Sequence, residues 1–126
     1  MAWTDKPATP HMKKLCNSLG SEYEINQHFG LERIIYRDFG NGYEIEISGA
    51  NTSSVKKPVY IYLWDKKKRL DVASIARVPQ GEISECVDWL HCISKALLDC
   101  EPCEERKILE LCRMDWKSIK RFYMKT

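Results

Sequence analysis

The segment Pro58-Val59-Tyr60-Ile61-Tyr62-Leu63-Trp64-Asp65 alternates two kinds of side chain without a break. In an extended chain, Val59, Ile61 and Leu63 point to one side, and Tyr60, Tyr62 and Trp64 point to the other. A period of two residues is typical of a β-strand. Because both sides are apolar or aromatic, we expect an inner strand with large neighbours on both faces.

A β-hairpin is predicted just upstream, where alternating runs flank the link Phe39-Gly40-Asn41-Gly42. Links rich in glycine and asparagine are typical of hairpin turns. A two-residue turn at Gly40-Asn41 would place Arg37 opposite Glu44 and match aliphatic residues elsewhere in the pair. We favour this register. The pair Asn41-Gly42 is a preferred type I′ turn sequence, so the alternative register stays open.

A second hairpin is predicted downstream of the aromatic segment. Lys66-Lys67-Lys68-Arg69 turns the chain, and residues 70–78 return as a strand that ends before Pro79. A tight turn would place Leu63 opposite Leu70. Both hairpins together predict an antiparallel meander.

Helices are predicted at both ends of the chain. Thr9-Pro10 is a typical helix start and Gly20 a typical helix stop, and residues 23–29 follow as a candidate edge strand. Apolar residues recur at helical spacing through 82–99. Pro102 interrupts this helix, and a second helix is predicted over about 103–124, antiparallel to the first.

The sequence therefore predicts a single α+β domain over residues 1–126, with residues 1–8 disordered. It consists of a short N-terminal helix, a four- to five-stranded antiparallel sheet made of hairpins, and a C-terminal antiparallel helix pair packed on the sheet. The net charge of +2 gives no bulk attraction to nucleic acid or to anionic lipid. No apolar run reaches the roughly 18 residues of a membrane span, and no secretory signal is evident. We expect a cytoplasmic protein that binds no membrane.

Six cysteines are many for 126 residues, and in a reducing cytosol we expect free thiols. Cys16, Cys86 and Cys112 are candidates for burial. Cys92 and Cys112 lie about equally far from the turn between the two C-terminal helices. They are therefore expected to come level, close enough to touch or to form a disulfide if oxidised.

The pair in Cys100-Glu101-Pro102-Cys103 resembles the Cys-x-x-Cys redox motif of thioredoxin over these four residues. Thioredoxin places that motif between a strand and a helix, whereas the residues upstream of Cys100 predict a helix. A helix–helix turn that holds two thiols is therefore the simpler interpretation. A thiol-redox or structural-metal role for Cys100 and Cys103 remains an alternative function.

Nothing in the sequence predicts an enzyme. No Gly-x-Ser-x-Gly, P-loop or His-Glu-x-x-His motif occurs. Glu44 and Glu46 share a strand face, but basic residues nearby make them ordinary ion pairs rather than an acid–base pair. We expect a non-enzymatic protein without a cofactor or a bound metal.

The aromatic side of the sheet is the candidate binding site. Aromatic residues and arginine are enriched where proteins bind each other, and aromatic side chains also stack on single-stranded bases. The expected partner-binding residues are Tyr60, Tyr62, Trp64, Arg37, Glu44, Glu46, Lys66, Lys67, Lys68 and Arg69, with Ile35 on the same face. Carboxylates beside the aromatics repel phosphate, which favours a protein over a nucleic acid. A helix covering this face, such as the N-terminal one, would leave no binding surface.

The sequence thus predicts a protein-binding module that acts as a small inhibitor or accessory protein. Small inhibitors of host defence complexes, encoded by phages or mobile elements, fit this class. Single-stranded nucleic-acid binding by the same aromatics and the basic turn is the second hypothesis.

Overall fold

The computed structural model describes residues 7–28 and 32–123. It has one five-stranded antiparallel sheet and four helices, so the predicted α+β class is confirmed. In chain order the elements are α1 (Pro10–Leu19), β1 (Glu24–His28), β2 (Glu32–Asp38), β3 (Tyr43–Ser48), β4 (Val59–Asp65), β5 (Leu70–Val78), α2 (Ile83–Asp99), α3 (Pro102–Leu111) and α4 (Trp116–Tyr123).

The strands follow one another as a simple meander, in the order β1-β2-β3-β4-β5. The aromatic segment forms β4, which pairs with β3 on one side and with β5 on the other. It is therefore an inner strand, as its composition predicts. The candidate edge strand also exists as β1, although Phe29 lies outside the described residues.

The predicted register of the first hairpin is wrong. Arg37 lies opposite Ile45 instead of Glu44, one residue away from each of the two registers considered. A four-residue connection joins the strands, and the Phe39 N–H donates to the Tyr43 carbonyl oxygen at 3.0 Å. This longer turn uses glycines at both of its positive-φ positions, Gly40 (φ 77°) and Gly42 (φ 93°). A two-residue turn would have used only one of them.

Side-chain hydrogen bonds stabilise this turn. The Gly40 N–H donates to Asp38 Oδ1 at 2.8 Å, and the Tyr43 N–H donates to Asn41 Oδ1 at 3.2 Å. Asn41 also donates from Nδ2 to the Ser94 hydroxyl of α2, at 2.9 Å. The turn is thus tied to a helix, a contact that turn propensities do not include.

The register of the second hairpin also differs from the prediction. Leu63 lies opposite Ala73 rather than Leu70, and the pairing of β4 with β5 shifts at two points. Leu70 is exposed at the tip of the hairpin, opposite Asp65. The turn is held by Asp65 Oδ1, which accepts hydrogen bonds from the Lys67 and Lys68 N–H groups.

The N-terminal helix begins as predicted. Thr9 caps α1, because its hydroxyl accepts a hydrogen bond from the Met12 N–H at 3.1 Å, and Gly20 follows the last turn. Of the residues expected to be disordered, 1–6 lie outside the described part, whereas Pro7 and Ala8 have contacts. The Asn51 amide donates to the Pro7 carbonyl oxygen at 3.2 Å, and Ala8 packs against the core.

The second C-terminal helix is broken into α3 and α4. The intervening backbone pairs with the outer edge of β5, where the Ser74 N–H donates to the Cys112 carbonyl (3.0 Å) and the Ala76 N–H to the Met114 carbonyl (3.4 Å). Unpaired N–H groups at a sheet edge are a liability, and these two are satisfied. Asp115 then begins α4, its Oδ1 accepting from the Ser118 N–H at 2.9 Å.

The four helices share one core with one face of the sheet. Helix residues such as Met12, Leu90 and Trp116 belong to the same buried cluster as the strand residues Ile45 and Ile61. The aliphatic side of β4 thus anchors the interior, as its alternation predicts.

Candidate functional site

The opposite face of the sheet is free of helices within the described residues. We call it the aromatic face, and its residues are Tyr36, Tyr60, Tyr62, Trp64, Glu24, Asp38, Glu44, Glu46 and Asp71. A shallow depression of about 530 Å³ lies on it, and all of its lining residues come from strands or from the β4–β5 turn. The N-terminal helix, a candidate cover for this face, packs on the other side through Met12 and Cys16.

Strand pairing places aromatic and acidic side chains next to each other, in two rows that run across this face from strand to strand. Opposed residues of antiparallel strands share a face, so each row can be followed from strand to strand. One row crosses all five strands as Glu24, Tyr36, Glu46, Tyr62 and Ser74. A second row crosses four strands as Asp38, Glu44, Trp64 and Asp71.

The aromatic residues of β4 differ in exposure. Tyr60 is 45% exposed and lies opposite Ser48, whereas Tyr62 and Trp64 are half-buried among the neighbouring strands. Glu46, between Tyr36 and Tyr62, is only 8% exposed. The sequence-predicted residues Tyr60, Tyr62, Trp64, Glu44 and Glu46 are therefore on one face, and three of them line the depression or its floor.

Tyr36 joins the two rows. Its hydroxyl donates a 2.6 Å hydrogen bond to Glu44 Oε2. Burial of the ring, together with this bond to a carboxylate, raises the pKa of Tyr36 well above the ordinary value of 10.0. The phenol is therefore a proton donor throughout the physiological range and holds Glu44 at a defined position.

The basic turn lies at one end of the aromatic face. Lys66 Nζ contacts Asp38 Oδ2 at 2.6 Å, and the hydrogen bond from Lys66 lowers the pKa of Asp38. Lys68 turns away, and its Nζ lies 3.5 Å from Glu105 Oε1 of α3. Lys66 and Arg69 line the depression, whereas Lys67 and Lys68 are outside its lining. The turn thus contributes two of its four predicted residues to the site.

Arg37 and Ile35 do not belong to the site, so their predicted positions are wrong. The observed register places Arg37 opposite the buried Ile45, on the helix-covered face. There its guanidinium carbon lies 5.3 Å from the ring centre of Tyr23 and 5.2 Å from that of Phe39. Ile35 is fully buried in the core. A slip of one residue in a hairpin register moves a side chain to the other face.

Sequence reasoning missed Tyr36 and Asp38, which the structure places on the aromatic face. Asp71 also lies on this face, opposite Trp64. The alternation within β2 indicates that Ile34, Tyr36 and Asp38 share one side of that strand. Only the correct hairpin register joins that side to Glu44, and the register depends on the turn.

The cysteines do not form a second site in the described residues. All six are free thiols, and Cys16, Cys86 and Cys112 are buried as predicted. Cys92 is exposed, Cys112 is buried, and the two do not form a disulfide. The described part of the chain has no group of three or more histidine, cysteine or acidic side chains that could hold a metal ion.

The Cys-x-Pro-Cys segment is the turn between α2 and α3. Cys100 follows α2 and its Sγ donates to the Leu97 carbonyl oxygen, while Cys103 is exposed in the first turn of α3. Partial burial and the nearby carboxylate of Glu105 raise the pKa of Cys100. A redox-active thiol usually has a lowered pKa, so this surrounding is the reverse of an activating one.

Comparisons with known proteins add no assignment. No family model matches the sequence, no curated protein is similar to it, and no solved structure is similar to the fold. Among the described helices, none has the length and apolar character to cross a membrane.

Proposed function

We propose that this protein is a non-enzymatic binding module that docks another protein on its aromatic face. One observation carries the proposal: all four helices pack on one face of the sheet, while the face with four aromatic side chains lies uncovered by them. Aromatic side chains in a shallow depression surrounded by polar groups are typical of protein-binding surfaces.

The charges on this face favour a protein over a nucleic acid. Glu44 and Asp71 lie on either side of Trp64, and Glu46 lies beside Tyr62. A base stacked on these rings would bring its phosphate close to the carboxylates, which repel it. The turn residue Lys66 is already paired with Asp38, which weakens it as a phosphate ligand.

The biological role in this proposal is that of a small inhibitor or accessory protein. In this proposal the aromatic face acts by occupying the surface of its partner. Six free thiols are typical of a reducing compartment, and the proposal places the protein in the cytoplasm. An inhibitor of a host defence complex, encoded by a phage or mobile element, belongs to this class.

The test is affinity purification of the tagged chain from its native cells, with wild type compared with a Tyr62→Ala/Trp64→Ala variant. The matched control is Val55→Ala/Leu98→Ala, which removes two exposed apolar side chains away from the aromatic face. Circular dichroism and thermal unfolding confirm that all three proteins are folded. We expect the specific partner to be retained by wild type and by the control and lost by the aromatic variant.

Retention of the same partner by the folded aromatic variant would overturn the proposal. Nucleic acid is tested in parallel by retention on single-stranded oligonucleotides at low salt. Retention that depends on Tyr62 and Trp64 and falls steeply with salt would assign the face to nucleic acid instead.

A further inference from the structure

The aromatic face is locally acidic, although the whole chain carries a net charge of +2. Its carboxylates come from four of the five strands and are Glu24, Asp38, Glu44, Glu46 and Asp71. The basic residues that line the depression are Lys66 and Arg69, both at the β4–β5 turn. The field over the centre of the face is therefore negative, and it attracts a positively charged partner.

Two aromatic rings of β4, those of Tyr62 and Trp64, have carboxylates on the neighbouring strands directly beside them. Tyr62 lies opposite Glu46, and Trp64 lies between Glu44 and Asp71. Neighbouring strands are about 4.8 Å apart, and a cation binds an aromatic face within about 6 Å of the ring centre. A cation stacked on either ring is thus within reach of the carboxylate on the next strand.

This spacing suits arginine better than lysine. A guanidinium group is planar, so it stacks on a ring while its N–H groups donate sideways to a carboxylate. The chain itself contains both kinds of contact, a guanidinium group over aromatic rings and a cation bound to a carboxylate. Arg37 lies over the rings of Tyr23 and Phe39 on the other face, and Lys66 binds Asp38 at the edge of the aromatic face.

We infer that the partner presents an arginine-rich segment to the aromatic face, with guanidinium groups stacked on Trp64 and Tyr62 and bound by Glu44, Glu46 and Asp71. The inference rests on the proposed function and specifies the chemistry of the docked protein. Tyr36 supports it as a positioning residue, because its hydroxyl holds the Glu44 carboxylate beside Trp64.

The test uses a phage-displayed library of short random peptides selected on the immobilised full chain. Enriched peptides are synthesised, and their affinities for wild type and variants are measured by fluorescence anisotropy. The charge variant is Glu44→Gln/Asp71→Asn, which neutralises both carboxylates beside Trp64 and keeps their shape. The matched control, Glu104→Gln/Glu110→Gln, removes the same charge from exposed positions on α3.

We expect the enriched peptides to be rich in arginine and to bind the charge variant about tenfold more weakly, a loss of about 1.4 kcal/mol. The control should bind like wild type. Replacement of arginine by lysine in a peptide should also weaken binding, and Trp64→Ala should abolish it.

The outcomes separate this inference from the proposed function. Neutral or acidic peptides that need Trp64, or arginine peptides that bind the charge variant unchanged, overturn the inference and leave the binding face in place. Arginine peptides that bind Trp64→Ala as well as wild type overturn both. A selection without enrichment overturns the inference, and the affinity purification then decides the proposed function alone.

Discussion

The Tyr36 hydroxyl donates a 2.6 Å hydrogen bond to Glu44 Oε2 across the β2–β3 hairpin. These residues are diagonal neighbours, since Tyr36 lies opposite Glu46 and Glu44 lies opposite Asp38. The bond links the two rows of the aromatic face. This bond exists only in the observed register. Each of the two registers predicted from the sequence is shifted by one residue, and that shift would place Tyr36 and Glu44 on opposite faces of the hairpin.

We predict that Tyr36 titrates far above an ordinary tyrosine. Burial and the hydrogen bond to Glu44 raise its pKa above 10.0 in the folded protein. A raised pKa means that its contribution to stability is fully present below pH about 10 and is lost as the pH rises further. The spectrophotometric titration of wild type minus that of Tyr36→Phe should therefore show a phenol still protonated at pH 10.

Glu44→Gln is the matched variant for this titration. The amide still accepts the Tyr36 hydrogen bond but carries no charge, so the pKa of Tyr36 should fall toward its ordinary value without reaching it, because burial remains. A difference curve for Tyr36 that is identical in wild type and Glu44→Gln would contradict the role of the carboxylate.

The two sides of β4 should respond differently to truncation. Ile61 is fully buried beneath the helices, and Ile61→Ala should lower the free energy of unfolding by about 2–5 kcal/mol through lost burial and a cavity. Its neighbour Tyr60 is 45% exposed on the aromatic face, and Tyr60→Ala should cost less than about 1 kcal/mol. Urea unfolding monitored by circular dichroism measures both changes, and equal losses would show that the aromatic face is not open.

We predict that the ion pair of Glu82 stabilises the fold at neutral pH and not in acid. Lys120 Nζ and Trp116 Nε1 both donate to Glu82 Oε1, and the bond from Lys120 is the main cause of the lowered pKa of Glu82. A lowered pKa gives stability that is present above the ordinary value of 4.5 and is lost as the pH falls below it.

The deficit in unfolding free energy of Glu82→Gln relative to wild type should therefore be largest near pH 7 and shrink in acid below pH about 4. Glu104→Gln, an exposed carboxylate on α3, serves as the control and should show no such trend. The measurement is urea unfolding across this pH range. A deficit that is independent of pH would assign the effect to packing instead of charge.

The thiols should divide into two reactivity classes. Burial raises the pKa of Cys112 to about 12 and also raises that of Cys86, so neither forms the reactive thiolate near neutral pH. Cys92 and Cys103 are exposed. Ellman's reagent should modify these two rapidly in the native protein, while the buried thiols react only after unfolding.

The variant Cys92→Ser/Cys103→Ser should lose the rapid phase and keep its native stability. Mass spectrometry of the protein modified under native conditions identifies the labelled positions. Label on Cys112 in the rapid phase would contradict its burial behind the β5 edge.

The sequence by itself determined the strands, helices α1 and α2, and the inner face of β4. Alternation of aliphatic and aromatic residues, the Thr9-Pro10 cap and the glycine-rich link are local properties, and local sterics and hydrogen bonds act on a chain before it folds. The strand, the first helix and the first hairpin were predictable from them.

Only the tertiary structure decided which residues share the aromatic face. The hairpin register depends on a four-residue turn that is tied to α2 through Asn41 and Ser94, and one residue of slip exchanges Arg37 for Tyr36 and Asp38. The break between α3 and α4 likewise depends on the N–H groups at the edge of β5, which lie far away in sequence. Long-range hydrogen bonds set both features, and local periodicity contains no information about them.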